Sequence, residues 1–536
     1  FALVVAGMAC ITVFLTNTRG ALAGLAAGVL FLLVFFLARK EQSVPDGQRF
    51  SSRRIALLCL VALVFASVIF AVTRKASFWD RIPGLNRIAD FSFQDSSLRT
   101  RFDALESSLK AFSDKPFVGW GVDNYQVGHN KHFNPDVLLY EDGWFDRAHN
   151  MDAEVAVTQG IDGLAAYIAV FAALFAALFV RTEDELFGKI RPYLLAGVIA
   201  YLVQNLFLFD HPVGRFMLVA AGGLTLSFSV RKDDSDILEA PAPAFKTFAA
   251  SIFGWVIVTL GVILLYLYSA IPFYQSRLFV KTLKDKVGEK ALVTVPQFLR
   301  PYNYLQPTIR FRFLEILTEN DLMRDPQFDP LTTMGLSAVE EVVSREPLYD
   351  PRNYIKLAEA YNEKGKDQPQ FFKEAEKFAR RGLELSPNRP SILYPLSFAL
   401  AGQDKFEEAI EVARQTVELN PRLAKSHFNL GLQLALAGKS RWDEAYEELK
   451  AAIELDGASA SSLGSQDKNN LAMIFKEMIT AHILREDADR LIKIAELYLR
   501  LGGAPVDDLR TVVDLAKNKR WDILKNAVRM GQGTAN

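Results

Sequence analysis

Apolar residues form long, uninterrupted runs in the first half of this chain and recur at helical spacing in the second. Stretches at about 21–38, 55–72, 161–180, 192–209, 213–230 and 248–270 are long enough, or nearly so, to cross a bilayer core, which takes about 20 residues. Residues 1–15 read as the remnant of another span. Phe1 lies inside that run with no charged leader or cleavage site ahead of it, so the chain reads as a fragment lacking earlier membrane helices. After Ser276 the runs give way to amphipathic helical pairs. The expected fold is all-α, a polytopic transmembrane bundle followed by an α-solenoid. Transmembrane helices are expected over 1–72, a long loop over 73–148, further transmembrane helices over 149–275 and the solenoid over 276–536.

Charge orients the spans. Three short connections are basic: Arg39, Lys40, Arg49, Arg53 and Arg54; then Arg181, Lys189 and Arg191; then Arg231 and Lys232. Alternation puts all three on one side, and the excess of Lys and Arg makes that side cytoplasmic. The other side receives Arg19, loop 73–148, the corner Asp210-His211-Pro212 and everything after Ala270. Within the loop, Leu98–Phe112 reads as an amphipathic helix with Phe102, Leu105, Leu109 and Phe112 on its apolar face. Pro116-Phe117-Val118-Gly119-Trp120-Gly121 then breaks it with a tight turn.

Glu384-Leu385-Ser386-Pro387 returns 34 residues later as Glu418-Leu419-Asn420-Pro421, and again as Glu454-Leu455-Asp456-Gly457 after a two-residue insertion. Phe406 and Ala409 correspond to Trp442 and Ala445, and Leu396-Ser397 to Leu430-Gly431. A looser unit precedes them at Tyr354, Leu357-Ala358, Tyr361, Gly365, Ala375 and Pro387. Period and spacing resemble tetratricopeptide repeats, clearest over 351–456. These aromatic and alanine positions are expected to be core, and the array to be a site for a protein partner.

A net charge of −1 and the lack of a long basic run give no sign of nucleic-acid binding. Cys10 and Cys59 both lie in apolar runs, so no disulfide framework is expected. The chemistry-bearing residues lie on the outer side. Arg147-Ala148-His149-Asn150 precedes, by nine residues, Gly160-Ile161-Asp162-Gly163 and the apolar run from Leu164, placing His149 at the mouth of a span. A histidine there serves either as a polar cap or as a general base. Arg19, at the outer end of span 21–38, either snorkels to the interface or grips phosphate with its planar donor fork; Gly20 beside it leaves room for backbone or lipid head group. Asp152 and Glu154 either orient His149 or favour the first helical turn. His211 and Arg215 line a cavity or cap the corner. His129 and His132 have Lys131 between them and no nearby cysteine, which disfavours zinc, so no metal site is expected.

Together, Thr18-Arg19-Gly20-Ala21 before a span, Arg101 followed by the 116–121 turn, and His149-Asn150 with Gly160 and Gly163 resemble the O-antigen ligase and polymerase family (the Wzy/O-antigen ligase superfamily) over roughly residues 10–230. The resemblance implies a multi-pass protein of the bacterial cytoplasmic (inner) membrane. Such an enzyme moves a glycan from undecaprenyl diphosphate to an acceptor hydroxyl on the outer face. No cofactor is expected, and with no aspartate pair of metal spacing beside the candidate arginines, transfer is expected to need no metal. The resemblance also implies that His149 is the base and that Arg19 and Arg101 hold the diphosphate. The family's second arginine is usually followed by tryptophan four residues on; Leu105 stands here, and Arg99 competes for the role. The acceptor is a lipid-core sugar for a ligase, a growing glycan for a polymerase, or a protein for an oligosaccharyltransferase; ligase is placed first, by analogy. Two other classes compete. A membrane-anchored tetratricopeptide scaffold would need neither Arg19 nor His149. A transporter would favour charged or broken helices in mid-membrane, whereas these spans are nearly uncharged.

Overall fold

The computed structural model describes residues 2–16, 18–39, 51–82, 85–89, 96–141, 143–180, 184–229, 244–284, 289–320, 322–456, 465–500 and 506–533. Lys40, Arg49, Arg181, Arg231 and Lys232 of the basic connections, and Gly457 of the third repeat, lie outside them. The described residues contain helices and no strands. They fall into two compact units, Phe1–Val258 and Thr259–Asn536.

The first unit begins with α1 (Ala2–Leu15), α2 (Arg19–Ala38), α3 (Ser52–Thr73), α4 (Leu85–Ala89), α5 (Ser96–Asp114) and α6 (Tyr125–Lys131). It continues with α7 (Met151–Phe179), α8 (Glu185–Asn205), α9 (Pro212–Ser229) and most of α10 (Ala244–Leu265). Five helices among the described residues are long and apolar enough to span a membrane: α2, α3, α7, α8 and the stretch Phe253–Leu283. The apolar part of α9, Pro212–Phe228, is shorter than these. The chain is a multi-pass membrane protein, and apolar residues of α3 such as Leu58, Val61 and Phe65 are exposed.

Small residues let two spans touch. Gly20, Gly24 and Gly28 lie one helical turn apart on α2 and face α8. A Cβ at Gly24 would lie 2.5 Å from the Ala200 carbonyl oxygen, and one at Gly28 3.0 Å from that of Ala196. With so little apolar driving force between helices in lipid, such close backbone approach is what holds spans together. At Gly20 a Cβ would lie 3.0 Å from Phe207 Cβ, so the space beside this residue is filled by the end of α8. Asp184 caps the other end of α8, its Oδ1 accepting from the Phe187 amide at 2.9 Å.

The segment between α3 and α7 has a core of its own: Ala104, Ala111, Tyr125, Phe133, Val137, Phe145, Ala148 and Val157. Helix α5 enters it by the face opposite to the one its apolar periodicity marks. Phe102 is 68 % exposed and Leu109 60 %, while Thr100, Ala104, Ser107, Ser108 and Ala111 are buried. Small side chains win the inner face because α6 and the following turn come close. Gly128 leaves just enough room for the Trp120 indole, whose Nε1–H donates to the Ala111 carbonyl at 2.8 Å. Ser108 Oγ and Tyr125 Oη lie 2.8 Å apart, which satisfies both hydroxyls inside the core.

The second unit contains α11 (Ile271–Lys284), α12 (Glu289–Leu299), α13 (Gln306–Glu319) and α14 (Asp329–Arg345). Stacked pairs follow: α15 (Pro351–Gly365) with α16 (Phe371–Leu385), α17 (Pro390–Ala401) with α18 (Phe406–Leu419), and α19 (Ala424–Leu436) with α20 (Trp442–Asp456). Helices α21 (Ser465–Arg485), α22 (Ala488–Arg500), α23 (Val506–Lys517) and α24 (Trp521–Gly533) close the unit. Ala375, Ala409 and Ala445 are fully buried, as are Leu357 and Ala358, so the repeated positions are core. At Gly431 a Cβ would lie 2.7 Å from Leu449, which explains a glycine where two helices cross. Polar side chains also link successive repeats: Asn362 Nδ2 donates to the Pro395 carbonyl at 2.8 Å, and Ser397 pairs with Asn429.

Candidate active site

The site is built around an interruption in α7. At Gly160 the backbone has φ 66° and ψ −163°, a region open essentially to glycine alone. The break turns backbone groups on both sides of it toward partners outside the helix, and the turn 116–121 makes four hydrogen bonds with them. Trp120 N donates to Val157 O at 2.9 Å and Gly121 N to Thr158 O at 2.8 Å. In return Ile161 N donates to Pro116 O at 2.7 Å and Asp162 N to Phe117 O at 3.4 Å. A Cβ at Gly160 would lie 2.0 Å from Phe117 O, and one at Gly119 would lie 2.4 Å from Thr158 C. The glycines of the two motifs therefore meet backbone to backbone, fastening the loop before α7 to that helix.

Below this seam Asn150 caps α7. Its Oδ1 accepts from the Ala153 amide at 2.9 Å, as a good N-cap should. Its Nδ2 donates to the Leu206 carbonyl at 3.1 Å, tying the start of α7 to the end of α8. Glu154, buried one turn into α7, holds the preceding segment: Oε2 accepts from Ala148 N at 2.8 Å, and Oε1 from Arg147 at 3.2 Å. Arg147 also pairs with Asp123 at 2.7 Å. Of the two acids considered in the sequence, Glu154 positions this loop, while Asp152 is exposed.

His149 is held between these anchors in the left-handed region, with φ 49°. Its ring meets Phe145 and Phe209 in T-shaped contacts, with centroids at 6.0 and 5.6 Å. Among the described residues no hydrogen bond occupies its ring nitrogens. Burial, and then the positive charge of Arg101, lower its pKa below the ordinary histidine value; Asp146 and Glu141 act in the opposite sense. Both dominant effects favour the neutral, proton-accepting imidazole.

The corner after α8 gathers the remaining pieces. Leu206 takes the Asn150 hydrogen bond, Phe207 packs on Gly20 beside Arg19, and Phe209 contacts His149. Arg19 thus begins a helix that packs on the same corner as the histidine. Arg99 and Arg101, two residues apart, have different surroundings. The Arg99 guanidinium donates to Tyr140 Oη at 3.0 Å and lies over its ring. Arg101 is the one whose charge reaches His149. His211 Nδ1 accepts from the Val213 amide at 3.3 Å at the start of α9, and Arg215 is ion-paired to Asp210 at 2.6 Å. His129 is enclosed by Tyr125, Phe133 and Phe145, while His132 pairs with Asp114 at 2.8 Å. Lys131 and His132 together hold the Asp114 carboxyl below the usual range. Among the described residues no three His, Cys, Asp or Glu side chains gather as a metal site. Phe209, Leu206 and Asp123 were missed in the sequence: a carbonyl or ring that positions another group leaves no signal of its own.

Residues 3–168 match the protein family described as O-Antigen ligase, a segment that contains Arg19, Arg101, His149 and Gly163. No curated protein matches the chain. Several solved structures resemble it. MamA (residues 41 to the end) from Desulfovibrio magneticus RS-1 is 17 % identical with a TM-score of 0.27, covering 35 % of this chain and 97 % of that one. A thermophilic TPR protein of Thermus thermophilus is 20 % identical with a TM-score of 0.27, covering 39 % and 98 %. The C-terminal part of a TPR repeat-containing protein from Cytophaga hutchinsonii is 13 % identical with a TM-score of 0.31, covering 50 % and 97 %.

Proposed function

With residues 3–168 carrying an O-antigen ligase domain, we propose that this chain moves a glycan from undecaprenyl diphosphate to an acceptor hydroxyl on the outer face of the bacterial inner membrane. What supports the reading is the seating of His149 between Phe145 and Phe209 just ahead of α7, where burial and the charge of Arg101 favour its neutral form. His149 takes the acceptor hydroxyl proton as its oxygen attacks the anomeric carbon. The bond from that carbon to the diphosphate breaks, and undecaprenyl diphosphate leaves with the electron pair. Arg19 and Arg101 stabilise the charge that develops on it, a role suited to fixed guanidinium groups. The imidazolium then returns its proton to water. No step calls on a metal, so transfer is expected to proceed in excess chelator.

The acceptor is proposed to be a lipid-core sugar, with the tetratricopeptide-like array on the same outer face, where it recruits an acceptor or partner protein. Deleting the gene and comparing surface glycans tests this choice. Accumulated full-length lipid-linked chains support a ligase. Single unpolymerised units would indicate a polymerase, and loss of glycan from protein alone an oligosaccharyltransferase.

A further inference from the structure

The turn that fastens to α7 carries two apolar side chains that the loop's own core does not use. Phe117 is 69 % exposed and Val118 73 %, while the Phe117 carbonyl accepts from Asp162 N and the backbone of both lies against Gly160. Isolated apolar residues on a surface need no explanation, but the depth of this pair is fixed by the seam. Helix α7 ends at Phe179, and the stretch from Gly160 to Phe179 is 20 residues. At about 1.5 Å per residue it is about 30 Å long, the thickness of a hydrocarbon core. The break at Gly160 therefore falls at the outer edge of that core, and the nine residues of α7 before it lie beyond. A turn hydrogen-bonded to residues 157–162 sits at the same level. Lys115, just before the turn, is exposed at that level and lies over the Trp120 ring at 4.2 Å.

We infer that Phe117 and Val118 are a wedge that enters the outer leaflet of the membrane, between the head groups and the first acyl carbons. Seated there, the wedge anchors the loop to the membrane at the level that the seam gives it. Its backbone is locked to α7, and the α7 N-terminus bears the His149 segment, so seating it steadies that segment over the outer leaflet. The occupant is the phospholipid surface itself, and the inference rests on the membrane span of α7 rather than on any reaction.

The test uses the full chain in lipid nanodiscs. With Cys10 and Cys59 replaced by serine, a single cysteine is placed at 117, at 118 or, as a water-exposed control, at Glu411, and labelled with an environment-sensitive fluorophore. Spin labels on the upper acyl carbons of the lipid should quench positions 117 and 118 several-fold more than 411, with blue-shifted emission. Slow hydrogen exchange at the Trp120 and Gly121 amides reports that the seam survives labelling, and if one variant loses it the other decides. Quenching at 117 and 118 by a water-soluble reagent but not by lipid would overturn the inference. So would a blue shift without lipid quenching, which would place the wedge against protein.

Discussion

Asn150 Nδ2 donates to the Leu206 carbonyl while its Oδ1 caps α7, so one side chain joins the start of one span to the end of the next. His149 lies beside that joint. Replacing Asn150 by Asp keeps the cap acceptor and removes the donor, leaving a carboxylate against a carbonyl. Asn150→Asp is expected to fold and to lose about tenfold in turnover through misplaced geometry, a modest fraction of what small displacements cost. Asn150→Ala also loses the cap, about 1 kcal/mol of stability. Turnover and thermal unfolding in detergent separate the two effects; wild-type turnover in the Asp variant would mean the joint does not position the site.

The seam between the loop and α7 is a shared structure, so its two glycines are coupled. Gly160→Ala meets both a forbidden backbone region and the Phe117 carbonyl, and Gly119→Ala meets Thr158. Each is expected to destabilise by about 1–3 kcal/mol or more. Because both break the same seam, the double variant should cost less than the sum. Thermal unfolding with hydrogen exchange at residues 117–121 measures this, and strict additivity would show the contacts to be independent.

The pH profile follows from the sign of the Arg101 effect. As a base, His149 works when neutral, so the rate falls as pH drops through its pKa. Burial and Arg101 lower that pKa, which extends activity toward acid. Arg101→Gln removes the positive neighbour, so the pKa rises and the acid limb moves to higher pH. Arg101→Lys keeps the charge and should keep the limb in place while weakening donor binding. Arg99→Gln should leave the limb unmoved, since Arg99 is engaged with Tyr140. An unchanged limb in Arg101→Gln would separate the two residues.

Most of the spans, the helical repeats and the position of His149 ahead of a helix were legible, because apolar runs and a fixed period are written in side chains; the stretch 213–230 is the exception, its apolar helix being shorter than the others. The packing faces were less so. The stripe Phe102, Leu105 and Leu109 points outward because Ala104, Ser108 and Ala111 allow Trp120 and Tyr125 to come close, and close approach selects small residues rather than apolar ones. The seam was invisible for another reason. Its hydrogen bonds run through the backbone between residues about 40 apart, and their only trace in the sequence is the glycines. Gly20 shows the same limit: it reads as room for a head group and is filled by Phe207.

Arg19 tests whether the diphosphate site needs geometry or charge alone. Arg19→Lys retains the charge and loses the bidentate fork, so a severe loss, about 100-fold in kcat/KM for a donor-binding arginine, is expected from one strong charge-assisted pair. The KM for the lipid-linked donor should carry most of it. Wild-type kinetics with lysine would make Arg19 a charge anchor at the membrane interface.

The most direct measurement is glycan transfer by purified His149→Ala, with an undecaprenyl diphosphate-linked donor and an acceptor bearing a free hydroxyl. The side chain makes T-shaped ring contacts only and, among the described residues, anchors no hydrogen bond, so the variant should insert and fold like the wild type. Transfer should fall by about 100-fold or more, the usual contribution of a general base, while donor binding is retained. Transfer at the wild-type rate by a folded His149→Ala protein would contradict the account.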